Sequence, residues 1–155
     1  MLKKLNKSNN KGFTIIEVMI VLAIVGLIML IVFLAVPALQ RNSRNTNRKS
    51  DVGRLGSAAT TLVSNLNGAA VSNANFSGAT LTTEAGNLGY YTAANVTAAL
   101  AATGNIANNT TIDTVRVLYN ASCNGTNAQI TARQVAILYS TENGNGAASP
   151  ACVNE

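Results

Sequence analysis

From Val18 to Val36 nineteen consecutive residues carry no charge. An apolar run of that length is long enough to cross a hydrocarbon core as a helix, and membrane insertion is the default reading. At about 1.5 Å of rise per residue, a helix over residues 13–36 is about 36 Å long, more than the roughly 30 Å that an apolar core requires. One acid stands at its start, in Lys11-Gly12-Phe13-Thr14-Ile15-Ile16-Glu17-Val18. A carboxylate in a membrane helix costs roughly 2.5 to 3.5 kcal/mol at the bilayer centre and less near an end, so Glu17 calls for a partner.

Residues 1–12 form a polar leader carrying Lys3, Lys4, Lys7 and Lys11. A secretory signal peptide places its apolar region before a small-residue cleavage site; here the order is reversed, with the small residue Gly12 ahead of the apolar run. Cutting after Gly12 leaves the helix on the mature chain. The formal charge is +5, from eleven basic and six acidic residues, but four of the basic residues sit in the leader. Net charge therefore gives no argument for nucleic-acid binding by the mature chain. The chain has no histidine, which removes the usual general base, proton shuttle and commonest metal ligand and argues against an enzyme. Its two cysteines, Cys123 and Cys152, are too few for a zinc site and match no redox pair spacing. A disulfide is their natural use, the alternative being two free, buried thiols. Neither sequence context resembles core, and a disulfide implies an oxidising, extracytoplasmic setting.

After Pro37 the chain turns polar. Arg41, Arg44 and Arg48 recur at helical spacing, and with Lys49 they form a basic face expected at a lipid headgroup interface, with DNA as a less favoured ligand. Val52, Leu55, Ala59, Leu62 and Leu66 then form an amphipathic stripe, and Asn67-Gly68 is a plausible stop. One helix from Phe13 to about Leu66 follows, with bending or loosening expected at Gly26 and Pro37. Residues 69–89, rich in Ala, Ser, Asn, Thr and Gly, read as loop. Thr92 to Thr103 read as a short helix capped by Thr92 and stopped at Gly104, with Val96 and Leu100 inward.

Two strands follow, with Val115, Val117 and Tyr119 on one face of the first and Val135, Ile137 and Tyr139 on one face of the second. Antiparallel pairing would lay both faces on the amphipathic half of the helix. The fold class is then α+β, a long helix packed on a small antiparallel sheet. The expected organisation is a leader over 1–12, a transmembrane and assembly helix over 13–36, its amphipathic continuation over 37–67, and a head over 68–155 with a C-terminal disulfide loop.

The basic leader, Gly12, Phe13, and a single acid at Glu17 opening a long apolar helix resemble the leader and first helix of type IV prepilins, a group that includes pseudopilins of secretion and DNA-uptake machines. The resemblance covers residues 1 to about 36. It implies that a prepilin peptidase in the membrane cuts after Gly12 and methylates the new amino terminus at Phe13. It further implies a homopolymer built by a pilus assembly machinery around bundled first helices, with Glu17 pairing with the terminal amine of a neighbouring subunit. Leu34 stands where the family carries a proline, with Pro37 three residues on, and Gly26 matches a helix-weakening glycine.

The leading expectation is a structural subunit of a type IV pilus, without catalytic activity, metal or cofactor. The precursor is expected to be a single-pass protein of the cytoplasmic membrane and the mature form part of an extracellular filament. A pseudopilin is the alternative within the group, and Glu142 and Glu155 are too sparse for the calcium site many pseudopilins carry. An uncleaved, membrane-anchored binding protein is the alternative from another class. Asn-x-Ser/Thr triplets, at Asn75, Asn95, Asn108, Asn109, Asn120 and Asn124 among others, are what an Asn- and Thr-rich chain produces by chance.

Overall fold

The computed structural model describes residues 12–67, 70–102 and 104–155. The leader up to Lys11, and Gly68 of the expected helix stop, lie outside the described residues. Two compact units meet in sequence at Ala38 and Leu39. Helix α1, Ile15–Asn65, contributes its apolar part to the first unit and its polar part to the second. The helix is unbroken at Gly26 and Pro37, so the expected loosening does not interrupt it. Propagation by the apolar residues on either side outweighs the hydrogen bond that Pro37 forfeits. At its far end Asn67 adopts a left-handed conformation, φ 47°, and its N–H donates to the Ser64 carbonyl at 3.2 Å, which turns the chain out of the helix.

In the second unit Val52, Leu55 and Ala59 of α1 are buried and Leu62 packs beside them, as the apolar spacing predicts. They meet one sheet made of β1 (Val96–Leu100), β2 (Asn105–Ile106), β3 (Val115–Asn124), β4 (Asn127–Glu142) and β5 (Ala148–Asn154). The order is β1-β3-β4-β2, with β5 also on β4. β3 and β4 pair antiparallel, Val117 opposite Ile137, and Val115, Val117, Val135, Ile137 and Tyr139 are buried in one cluster with the helix stripe. The expected pairing and the expected face are therefore both present. Alternation alone sets this result, because residues two apart on a strand share a face.

Three expectations need correction. The sheet is mixed, since β1 lies parallel to β3 with Val96 beside Val115. The expected helix over Thr92 to Thr103 is absent from its described part, residues 92–102, with Thr103 outside the described residues: Ala93–Asn95 make a single 3₁₀ turn and Val96–Leu100 is a strand. Alanines there favour a helix in isolation, but the backbone ladder to β3 and burial of Val96 outweigh that weak preference. The stretch read as loop contains helix α2, Gly78–Ala85. Its signals are local: the Ser77 hydroxyl accepts the Thr80 N–H at 3.2 Å, Leu81 is buried, and Gly86 ends it at φ 72°. A side chain at Gly78 would stand 2.0 Å from the Val96 carbonyl oxygen, so glycine permits α2 to seat on β1.

The strands are also longer than their apolar cores. Between Tyr119 and Ala121 the β3–β4 register slips, with Asn120 (φ 60°) and Arg133 (φ 62°) both left-handed and the Arg133 N–H donating to Asn120 Oδ1 at 3.1 Å. This irregularity curls the sheet. Its other face is buried too, around Leu118, Ala121, Ala128, Ala136 and Leu138, with Ala101 and Ile106 packed on it. Cys123 of β3 and Cys152 of β5 are joined in a disulfide, their Cα atoms 5.7 Å apart.

Candidate functional site

Gly12, Phe13 and Thr14 precede α1 and are exposed, so the Gly12–Phe13 peptide bond lies in non-helical chain. The Thr14 carbonyl accepts the N–H groups of Glu17 (3.2 Å) and Val18 (3.4 Å), which starts the helix. Glu17 stands in the first turn, where the positive end of the helix dipole favours a carboxylate. Phe13 is 84% exposed, and the large apolar side chains that follow it, to Leu39, are exposed as well. Few monomeric proteins leave so continuous an apolar surface bare, because patches beyond a few hundred Å² associate with lipid or protein. The three residues expected at the processing and assembly site, Gly12, Phe13 and Glu17, thus stand together around the first turn of an exposed apolar helix.

Of the four residues of the basic face, Arg48 is buried, Arg41 and Arg44 are partly exposed and Lys49 is exposed. Glu142, at the end of β4, accepts hydrogen bonds from Arg44 Nε and Nη2 (2.8 and 2.7 Å) and from Arg48 Nη2 (2.8 Å). Arg48 is fully buried, its guanidinium lies 4.1 Å over the Tyr90 ring, and it donates to the Tyr90 hydroxyl. That hydroxyl donates in turn to Asp113 Oδ1 at 2.6 Å. Asn45 exchanges two hydrogen bonds with the Glu142 backbone, each 2.9 Å, and Arg41 donates to the Gly144 carbonyl at 2.6 Å. A buried guanidinium without such partners would be strongly destabilising, which explains why one carboxylate serves two arginines. The bonds from Arg44 and then Arg48 lower the Glu142 pKa from 4.5 to about 2.

Asp51, one turn further along α1, is buried and accepts the backbone N–H groups of Gly89 (2.8 Å), Tyr90 (2.7 Å) and Tyr91 (3.0 Å). Sequence reading overlooked Asp51 and Tyr90. A signal existed, because Arg48 and Asp51 lie on the apolar stripe of Val52 and Leu55, and a charge on a buried face needs partners. Which partners they are depends on contacts more than 30 residues away in sequence, beyond what helical spacing reports. Among the described residues no group of three or more histidine, cysteine or acidic side chains could hold a metal ion.

Residues 7–33 match the family model of the prokaryotic N-terminal methylation motif, the type IV pilin and prepilin signature. The match supports a type IV pilin-like or pseudopilin protein, structural in character, that the prepilin pathway processes and assembles. The α+β architecture, with a long apolar N-terminal helix continuing onto a curled mixed sheet, is like that of type IV pilins. Comparisons with curated proteins and with solved structures give no significant match.

Proposed function

We propose that this chain is a structural subunit of a type IV pilus, inserted in the cytoplasmic membrane as a precursor, cut after Gly12, methylated at Phe13 and polymerised into an extracellular filament. The observation that carries the reading is the conjunction of a prepilin motif over residues 7–33 with an apolar helix whose side chains are exposed from Phe13 onward. In the precursor, lipid covers those side chains; in the filament, the same surface of other subunits replaces lipid. Van der Waals packing between apolar helices makes that exchange possible without loss of burial.

Cleavage creates an ammonium group at Phe13 in apolar surroundings, where an unpaired charge is expensive, and Glu17 is its partner. Support for a fibre-forming role over an anchored binding protein comes from Arg48, which is fully buried against Glu142 and so does not reach an external polyanion. Mass spectrometry of native material tests the reading: the mature chain is expected to start at a methylated Phe13. Glu17→Ala is expected to abolish or impair filament formation while the precursor still inserts. A chain that keeps Met1, or long fibres formed normally by Glu17→Ala, overturns it; short periplasmic rods in place of surface fibres shift it to a pseudopilin.

A further inference from the structure

We propose that the outer edge of β5 is a latent strand-pairing surface for a second copy of this chain, and that Pro150 keeps it closed. Val135 and Glu155 exchange both backbone hydrogen bonds (2.9 and 3.4 Å), so they are a hydrogen-bonded pair of the antiparallel ladder. Alternation then makes Ile137–Val153, Tyr139–Ala151 and Thr141–Ser149 hydrogen-bonded pairs as well, while Leu138–Cys152 and Ser140–Pro150 are pairs of the other kind. Residues Ala148, Pro150, Cys152 and Asn154 therefore aim their backbone groups away from β4. No strand pairs with β5 on that side among the described residues.

An exposed edge of this kind is a template for another chain, and natural sheets protect it. Along the second half of β5, Cys152 is tied to Cys123 and the Cys123 N–H donates to Asn154 Oδ1 at 2.6 Å, contacts that fasten the strand over the face of Leu138 and leave its outer edge unpaired among the described residues. Along the first half Ala148, Ser149 and Pro150 are exposed, and there the sequence places a proline at an outward position, where its missing N–H removes a donor from the open edge and costs β4 nothing. Proline one position either side would have broken a bond to β4. The placement therefore serves the edge and not the fold. From Gly56 to Glu155 only six residues are charged, so charge repulsion does little to keep neighbouring copies apart, and the missing donor of Pro150 carries that task.

The test uses the full chain in detergent and, where fibres form, the fibres themselves. Pro150→Thr is expected to leave the melting temperature unchanged while shifting the protein to larger species in sedimentation, bundling fibres in electron micrographs and adding an intermolecular-strand band in the infrared amide region. Pro150→Lys, which restores a donor but places a charge on the edge, is expected to remain dispersed like the parent. The proposal is overturned if Pro150→Thr stays as dispersed as the parent. It is equally overturned if Pro150→Lys associates to the same degree, because association would then follow from loss of the proline fold and not from an opened edge. Neither outcome depends on processing after Gly12, so the proposed function and this inference fail separately.

Discussion

One helix supplies two opposite relations to solvent. From Ile15 to Gln40 every residue of α1 is exposed although nearly all are apolar, whereas the following stretch buries Val52, Leu55, Ala58 and Ala59 and, with them, the charged Arg48 and Asp51. Hydrophobicity alone would predict the reverse. In the polar stretch the sheet provides an apolar face and specific partners for two charges; in the apolar stretch none of the described residues provides cover, and in the proposed function lipid or other copies supply it. An apolar side chain thus signals a core only where the same chain supplies the other half of that core.

Breaking the covalent tie of the head is expected to have the largest effect on the monomer. Cys152→Ser opens a loop closed across 29 residues of separation and should lower head stability by about 3–4 kcal/mol, while helical content of residues 15–38 persists. Denaturant melts followed in the near- and far-ultraviolet check both halves of that statement; concurrent loss of the two signals would sink it.

The contrast within α1 is sharpened by a matched pair of truncations. Leu55→Ala, at a residue with no exposure, is expected to cost about 3 kcal/mol, and Leu27→Ala, 61% exposed, less than about 0.5 kcal/mol in the monomer while impairing assembly. Equal losses of stability would show that the exposed stretch is covered within the monomer after all.

Glu142→Gln should cost about 2 kcal/mol, mainly by leaving the buried Arg48 with a neutral partner; Arg44, 43% exposed, adds little because solvent screens it. The sign of the pH effect follows from a folded-state pKa of about 2 set against the ordinary 4.5. A depressed acid contributes stability that is fully present above 4.5 and is lost as pH falls toward 2. The melting temperature of the parent is therefore expected to drop between these values, and that of Glu142→Gln to be flatter over the same window.

The smallest effect concerns Tyr91, which is 3% exposed and whose hydroxyl has no partner among the described residues. Burial raises its pKa, so the phenol stays neutral. Tyr91→Phe is expected to be neutral or to gain up to about 1 kcal/mol, since an unsatisfied buried polar group is removed. A clear loss in calorimetry would mean that the hydroxyl has a partner.

The parts legible in the sequence share one property: they depend on residues close together along the chain. Nineteen uncharged residues specify the exposed helix, three-and-four spacing specifies the Val52–Leu55–Ala59 stripe, and alternation specifies the inner faces of β3 and β4, because helix and strand periods are properties of the backbone itself. The motif at residues 7–33 is equally local. Tertiary structure decided the rest. Val96–Leu100 became a strand because β3 offered a ladder that its alanines could join, and Arg44 and Arg48 turned inward because Glu142, nearly a hundred residues away, came within hydrogen-bond reach. Weak local preferences and mobile charged side chains are settled by whatever partner the fold brings near, and no window of sequence contains that partner.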